Sequence, residues 1–118
     1  MTDEQTIETE PNFKSLDVIA ELGWQSHIAW ERIIGEQPKP DWSALSPGQK
    51  VAIVDSVRWL IEHPTVSVAA QHDAWRARRM GSAIGDDFHP NMVEFNDLPF
   101  SQQMKARLWR HIIFAVLG

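Results

Sequence analysis

Two copies of one short pattern hold the side chains best suited to chemistry in this chain. His27-Ile28-Ala29-Trp30 and His72-Asp73-Ala74-Trp75 each set an imidazole and an indole three residues apart. On a helix that spacing puts both rings on one side, one turn apart. Arg76 follows Trp75 on a neighbouring face, and Arg79, four residues on, shares its side. A flat indole beside a guanidinium is a pairing that stacks a nucleobase and meets a phosphate. Trp30, His72, Trp75, Arg76, Arg79 and His89 are therefore the candidate ligand-binding residues. In that assignment Trp75 stacks on the base, Arg79 meets the phosphate, and His72 and His89 orient ring or ribose groups. Trp30 is the counterpart from the other copy. The competing assignment is packing, in which His72 and Trp75 fix the third helix against the last, as aromatic stripes commonly do.

Other chemistries find less support. His63, His72 and His89, with Asp86 or Asp87, are ligand types that zinc accepts, but no His-x-x-x-His pair or Glu-flanked pair is present. No metal site and no cofactor are expected. Cysteine is absent, and no serine sits in a Gly-x-Ser-x-Gly elbow. Gly81-Ser82-Ala83-Ile84-Gly85 lacks the lysine of a phosphate-binding loop. A non-enzymatic protein is the expectation.

Composition narrows the setting. A chain of 118 residues suits one domain with a modest core. The absence of cysteine excludes disulfides and thiolate metal sites and suits a reducing cytoplasm. No apolar run approaches the roughly 20 residues of a membrane span, and the polar start is unlike a signal peptide. A cytoplasmic protein without membrane contact is expected. The net charge is -5, yet Asp3, Glu4, Glu8 and Glu10 fall in the first ten residues, so the remainder is close to neutral. Arg76, Arg78 and Arg79 cluster, as do Lys105, Arg107, Arg110 and His111, with Asp86, Asp87, Glu94 and Asp97 between them. Either these charges compensate one another, or they form a small basic pocket for an anion. Duplex nucleic acid is not expected of an acidic chain without a basic stripe.

The elements that must position these residues are helices. Residues 1–14 read as a disordered acidic leader, and residues 15–118 as the folded domain. Ser15 caps a first helix with apolar positions Leu16, Ile19, Leu22 or Gly23, His27, Trp30 and Ile34, closed by Gly35. Gln37-Pro38-Lys39-Pro40-Asp41 is a stiff loop. Ser46-Pro47-Gly48-Gln49 is a capping box that starts a second helix carrying Val51, Val54, Val57, Leu60 and Ile61, which ends before Pro64. A third helix starts at Thr65 or Ser67 and runs to about Met80. A long loop with a short extended stretch from Asn91 to Phe95 comes next, then a last helix from Pro99 or Ser101. That helix presents Met104, Leu108, Trp109, Ile112, Ile113 and Val116. The fold class is all-α, a single domain of about four helices. The His-x-x-Trp copies also share a downstream segment, Trp42-Ser43-Ala44-Leu45 with Gln49 in one and Phe95-Asn96-Asp97-Leu98 with Gln102 in the other. The matched spacing suggests an internal helix-loop-helix duplication.

The segment from His72 to about Val116 resembles the ryanodine-receptor repeat (RyR) domain. It matches in His72-Asp73-Ala74-Trp75, the glycine turn at Met80–Gly85, His89-Pro90 with Met92, Val93 and Phe95, and Leu98-Pro99 before a final helix. The part from Ile19 to His63 looks like the leading half of small RyR-domain proteins encoded by bacteriophages and bacteria. Ser82 and Ile84 stand where the family has Trp and Tyr. The resemblance implies a non-catalytic module, phage- or prophage-encoded, acting in the host cytoplasm and sensing a small anionic, nucleotide-like ligand. The alternative it leaves open is an accessory or structural protein that contacts a host or virion protein through an apolar patch such as Trp24, Met80, Met92 and Phe100.

Overall fold

The computed structural model describes residues 15–80 and 90–118. Four helices form within them: α1 Leu16–Ile34, α2 Pro47–Glu62, α3 Val68–Met80 and α4 Phe100–Leu117. Short turns of 3-10 helix, Trp42–Ala44 and Phe95–Asp97, precede α2 and α4. No strand occurs among the described residues, so the protein is an all-α single domain. The stretch from Asn91 leads irregularly into the second 3-10 turn rather than forming an extended segment.

Local chemistry sets the helix ends. The Ser15 hydroxyl accepts the Asp17 N–H at 3.1 Å, and Gly35 stops α1 in the left-handed region at φ 81°. The next N–H, that of Glu36, closes on the Glu31 carbonyl at 2.8 Å and fixes the chain as it leaves the helix. The capping box opening α2 is complete: Ser46 Oγ accepts the Gln49 N–H, and Gln49 Oε1 accepts the Ser46 N–H. Ser67 Oγ receives the Ala70 N–H at the start of α3.

The duplication read from the sequence reappears as geometry. Trp42 and Phe95 each begin a 3-10 turn and are buried. In both turns the carbonyl before the aromatic accepts the N–H two positions beyond the aromatic: Asp41 from Ala44, and Glu94 from Asp97. In both, the leucine N–H then closes on the aromatic's own carbonyl. Leu45 and Leu98 are buried as well. Helix, 3-10 turn and helix thus occur twice in one order, and the copies part at the next residue, Ser46 in one and Pro99 in the other.

The core collects on α1, which packs against α4 and α2. Ile19, Ala20, Trp42, Leu45, Val54, Val57, Leu60, Trp109 and Ile113 form its buried cluster. Gly23, rather than Leu22, is the inward residue of its turn. A Cβ there would lie 2.6 Å from Trp109 Nε1 and 3.0 Å from Ile113 Cδ1, so glycine lets α4 approach closely. On α2 the buried face is Val54, Val57 and Leu60, while Val51 is exposed. Among the described residues no helix is long and apolar enough to cross a membrane.

Candidate functional site

The inward stripe of α1 runs through Ile19, Ala20, Gly23 and Ile28, and its next member is a carboxylate, Glu31, 1% exposed. Facing it, the inward stripe of α4 runs through Gln102, Lys105, Trp109 and Ile113. Both stripes are apolar in the middle of the molecule and polar at the end where α1 finishes and α4 starts. The polar end opens into a cavity of about 460 Å³, walled by Glu31, Glu36, Lys39, Asn91, Gln102 and Lys105 among others. It is a cleft open to solvent rather than an enclosed pocket.

Glu31 organises one wall. Its Oε2 receives Lys105 Nζ at 2.9 Å and also pairs with Lys39 Nζ, and its Oε1 accepts the Lys39 backbone N–H at 2.9 Å. The carboxylate thereby holds the stretch between Pro38 and Pro40 against the helix pair. Burial works to raise the Glu31 pKa, but the hydrogen bonds from both lysines outweigh it and hold the carboxyl at about 2. Burial also lowers the pKa of Lys39. One turn earlier, the His27 ring packs between Trp24 and Trp109, and its Nδ1 is sealed from solvent without a hydrogen-bond partner. Burial first, then the charges of Lys39 and Lys105, push the His27 pKa down to about 3, with Glu31 opposing. The imidazole is neutral at physiological pH. Two ammonium groups thus share one buried carboxylate, and the cluster carries a surplus of positive charge toward the cavity.

The opposite wall arises from the divergence between the two copies. In the first, Gln49 folds back to the Ser46 N–H. In the second, the cap residue is Pro99, which has no N–H to offer and makes no side-chain cap bond. Gln102, the counterpart of Gln49, is therefore free to reach sideways. Its Nε2 donates to Glu36 Oε2 at 2.7 Å, and its Oε1 accepts from Asn91 Nδ2 at 3.0 Å. Beside it, the Ser101 carbonyl accepts the Trp30 indole N–H at 2.9 Å.

The residues expected from the sequence to bind ligand are distributed differently. Trp30 touches this wall through Ser101 but does not line the cavity. The His72 ring donates from Nε2 to the Val93 carbonyl at 2.7 Å; a carbonyl only accepts, so Nε2 bears the proton. That ring stacks on Trp75 at 5.4 Å and meets Phe95 edge-on at 6.0 Å, tying α3 to the segment before α4. The Arg79 guanidinium lies over the Trp75 ring at 5.6 Å, so the indole and guanidinium do pair as their spacing implied. Arg76 pairs with Asp73 at 3.5 Å and lines a second cavity of about 430 Å³, with Ala69, Ala77, Met80, Glu94, Phe95 and Asn96. Neither Trp30 nor Trp75 lines either cavity, so the two indoles do not enclose a common pocket there. His89, like Ser82, Ile84, Asp86 and Asp87, lies outside the described residues.

Among the described residues no three of His, Asp and Glu gather as a metal site. His63 instead donates from Nδ1 to the Trp59 carbonyl and stacks on the Trp59 ring. The sequence signal for the observed cavity was a charged residue at an inward helical register, Glu31 on α1 and Lys105 on α4. Reading α4 by its apolar residues alone hides it, because Gln102 and Lys105 occupy inward positions expected of aliphatic side chains. Comparison with protein-family models, with curated proteins and with solved structures finds no match to this chain.

Proposed function

We propose that the protein is a non-enzymatic binding module of the RyR type that holds a small anionic, nucleotide-like ligand in the cavity between α1 and α4. The observation that carries this is the sharing of one buried carboxylate, Glu31, by Lys39 and Lys105 at the cavity wall. An incoming phosphate or carboxylate takes up the surplus positive charge there without new desolvation of the lysines, which are already partly buried. The polar side chains opposite supply orientation, as few, placed polar groups do in ligand sites. Trp75 with Arg79 remains a shelf on α3 with the right chemistry, but it lies outside both cavities.

Calorimetry with nucleoside monophosphates, ADP-ribose derivatives and cyclic dinucleotides tests the proposal on wild type and Lys39→Met. Loss of a charge-assisted hydrogen bond costs about 1.5–3 kcal/mol, so affinity should fall by roughly ten- to a hundredfold in the variant. Absence of binding by every member of the panel removes the proposal. A protein-contact role is favoured by a different observation: Met80 and Phe100 are 71% and 74% exposed. The rest of the patch considered from the sequence does not join them, since Trp24 packs on the core with its indole on the Pro40 carbonyl and Met92 is half-buried. Stoichiometric capture of one protein by wild type but not by Phe100→Ser supports that second role.

A further inference from the structure

The two walls of the α1–α4 cavity differ in chemistry, and the difference specifies the ligand further, given that the cavity is the binding site proposed above. The Glu31 wall is cationic. The other presents Glu36, an exposed carboxylate whose Oε2 accepts the Gln102 amide. Gln102 is itself 8% exposed and its Oε1 accepts the Asn91 amide, so it holds the carboxylate in place. A carboxylate offers two oxygens and about four acceptor sites, and one hydrogen bond leaves Oε1 with capacity for donors in the cavity. Gln102 and Lys105 are three residues apart on α4, a rise of about 4.5 Å.

We infer that the cavity takes a sugar phosphate, with its anionic group toward Lys39 and Lys105 and a vicinal diol donating to Glu36. A hydroxyl pair is assigned to the carboxylate rather than an ammonium because Lys39 and Lys105 already balance Glu31 and Glu36, the two carboxylates lining the cavity, and neutral donors satisfy Oε1 without adding charge. Neutral donors with an anion one helix turn away describe a phosphorylated furanose, free or as the ribose 5-phosphate of a nucleotide.

The test compares methyl ribofuranoside 5-phosphate, its 2-deoxy counterpart, adenosine 5′-monophosphate and inorganic phosphate by calorimetry, on wild type and Glu36→Gln. In the variant the side-chain oxygen still accepts the Gln102 amide, while the second position becomes a donor. The ribo compound should bind at least tenfold more tightly than the deoxy compound, and Glu36→Gln should abolish that preference while inorganic phosphate binds no more weakly than to wild type, because the variant removes a negative charge from the same cavity. Binding of adenosine 5′-monophosphate more tightly than the riboside supports a nucleotide source, and the reverse supports a free sugar phosphate. Equal affinity for ribo and deoxy compounds, or a preference that survives Glu36→Gln, overturns the diol assignment and leaves the anion site standing. If none of the four binds while an ADP-ribose derivative or cyclic dinucleotide does, the sugar-phosphate assignment fails and the proposed function stands; if nothing in either set binds, both fail. Circular dichroism of Glu36→Gln confirms that the comparison is made on folded protein, as expected for an exposed position.

Discussion

The Glu31 carboxylate shows how one side chain links fold and site. Taking a carboxylate out of water is costly, and the cost is offset only because three donors from Lys39 and Lys105 converge on it. Removing its charge leaves two lysines facing each other, so Glu31→Gln should destabilise the protein by about 3–5 kcal/mol in urea denaturation at pH 7. The acid dependence has the same origin. Because the folded pKa of Glu31 lies below its usual value near 4.5, its contribution is full above that pH and is lost as pH falls toward 2. His27 acts higher. Its folded pKa of about 3 lies below the usual 6.5, so the unfolded chain binds the proton first, and stability drops as pH falls from 6.5 toward 3. The slope approaches about 1.4 kcal/mol per pH unit. His27→Phe keeps a ring between Trp24 and Trp109 and removes an unpaired nitrogen. Denaturation midpoints for that variant should stay nearly level between pH 6.5 and 4.5, where wild type declines; parallel curves would refute the assignment.

At the scale of elements, the close crossing of α1 and α4 depends on Gly23. Gly23→Ala gains about 1 kcal/mol of helix propensity but pushes a methyl into Trp109, and overpacking costs about 1–3 kcal/mol. A lowered melting temperature is the expected net result. The α4 start offers a sharper test. Pro99→Ser supplies both the hydroxyl and the N–H of a capping box, so Gln102 should turn back toward the cap as Gln49 does in α2. The variant should gain up to about 1 kcal/mol of stability while losing ligand affinity. Helices and their caps were legible from the sequence because their causes are local: Ser15, Gly35, Ser46 with Gln49, and Pro64. The two 3-10 turns were not legible, since the matched spacing of Trp42–Leu45 and Phe95–Leu98 carries no signal for that geometry and Asn91 to Phe95 was expected to be extended. The cavity was not, because Glu31, Lys105 and Gln102 acquire their meaning only when α1 and α4 are laid antiparallel. His72 and Trp75 were rightly placed on one face of a helix, yet their spacing could not distinguish a stacked pair tied to Val93 from a pair lining a pocket.

Taken whole, the molecule is two helix–3-10–helix units that share local geometry and divide the work. In the first, the capping box serves stability. In the second, proline at the equivalent position frees a glutamine for the cavity. The aromatic pairs show a similar division: Trp30 braces the cavity wall through Ser101, whereas Trp75 stacks with His72 and Arg79 on α3. The indole N–H resonances of Trp30 and Trp75 therefore report on the two alternatives at once. In a ¹⁵N-correlated titration with ribose 5-phosphate compounds, the Trp30 indole and the amides of residues 101–105 should shift with saturation while the Trp75 indole stays fixed. Shifts centred on Trp75 and Arg79, or none at all, would contradict binding between α1 and α4.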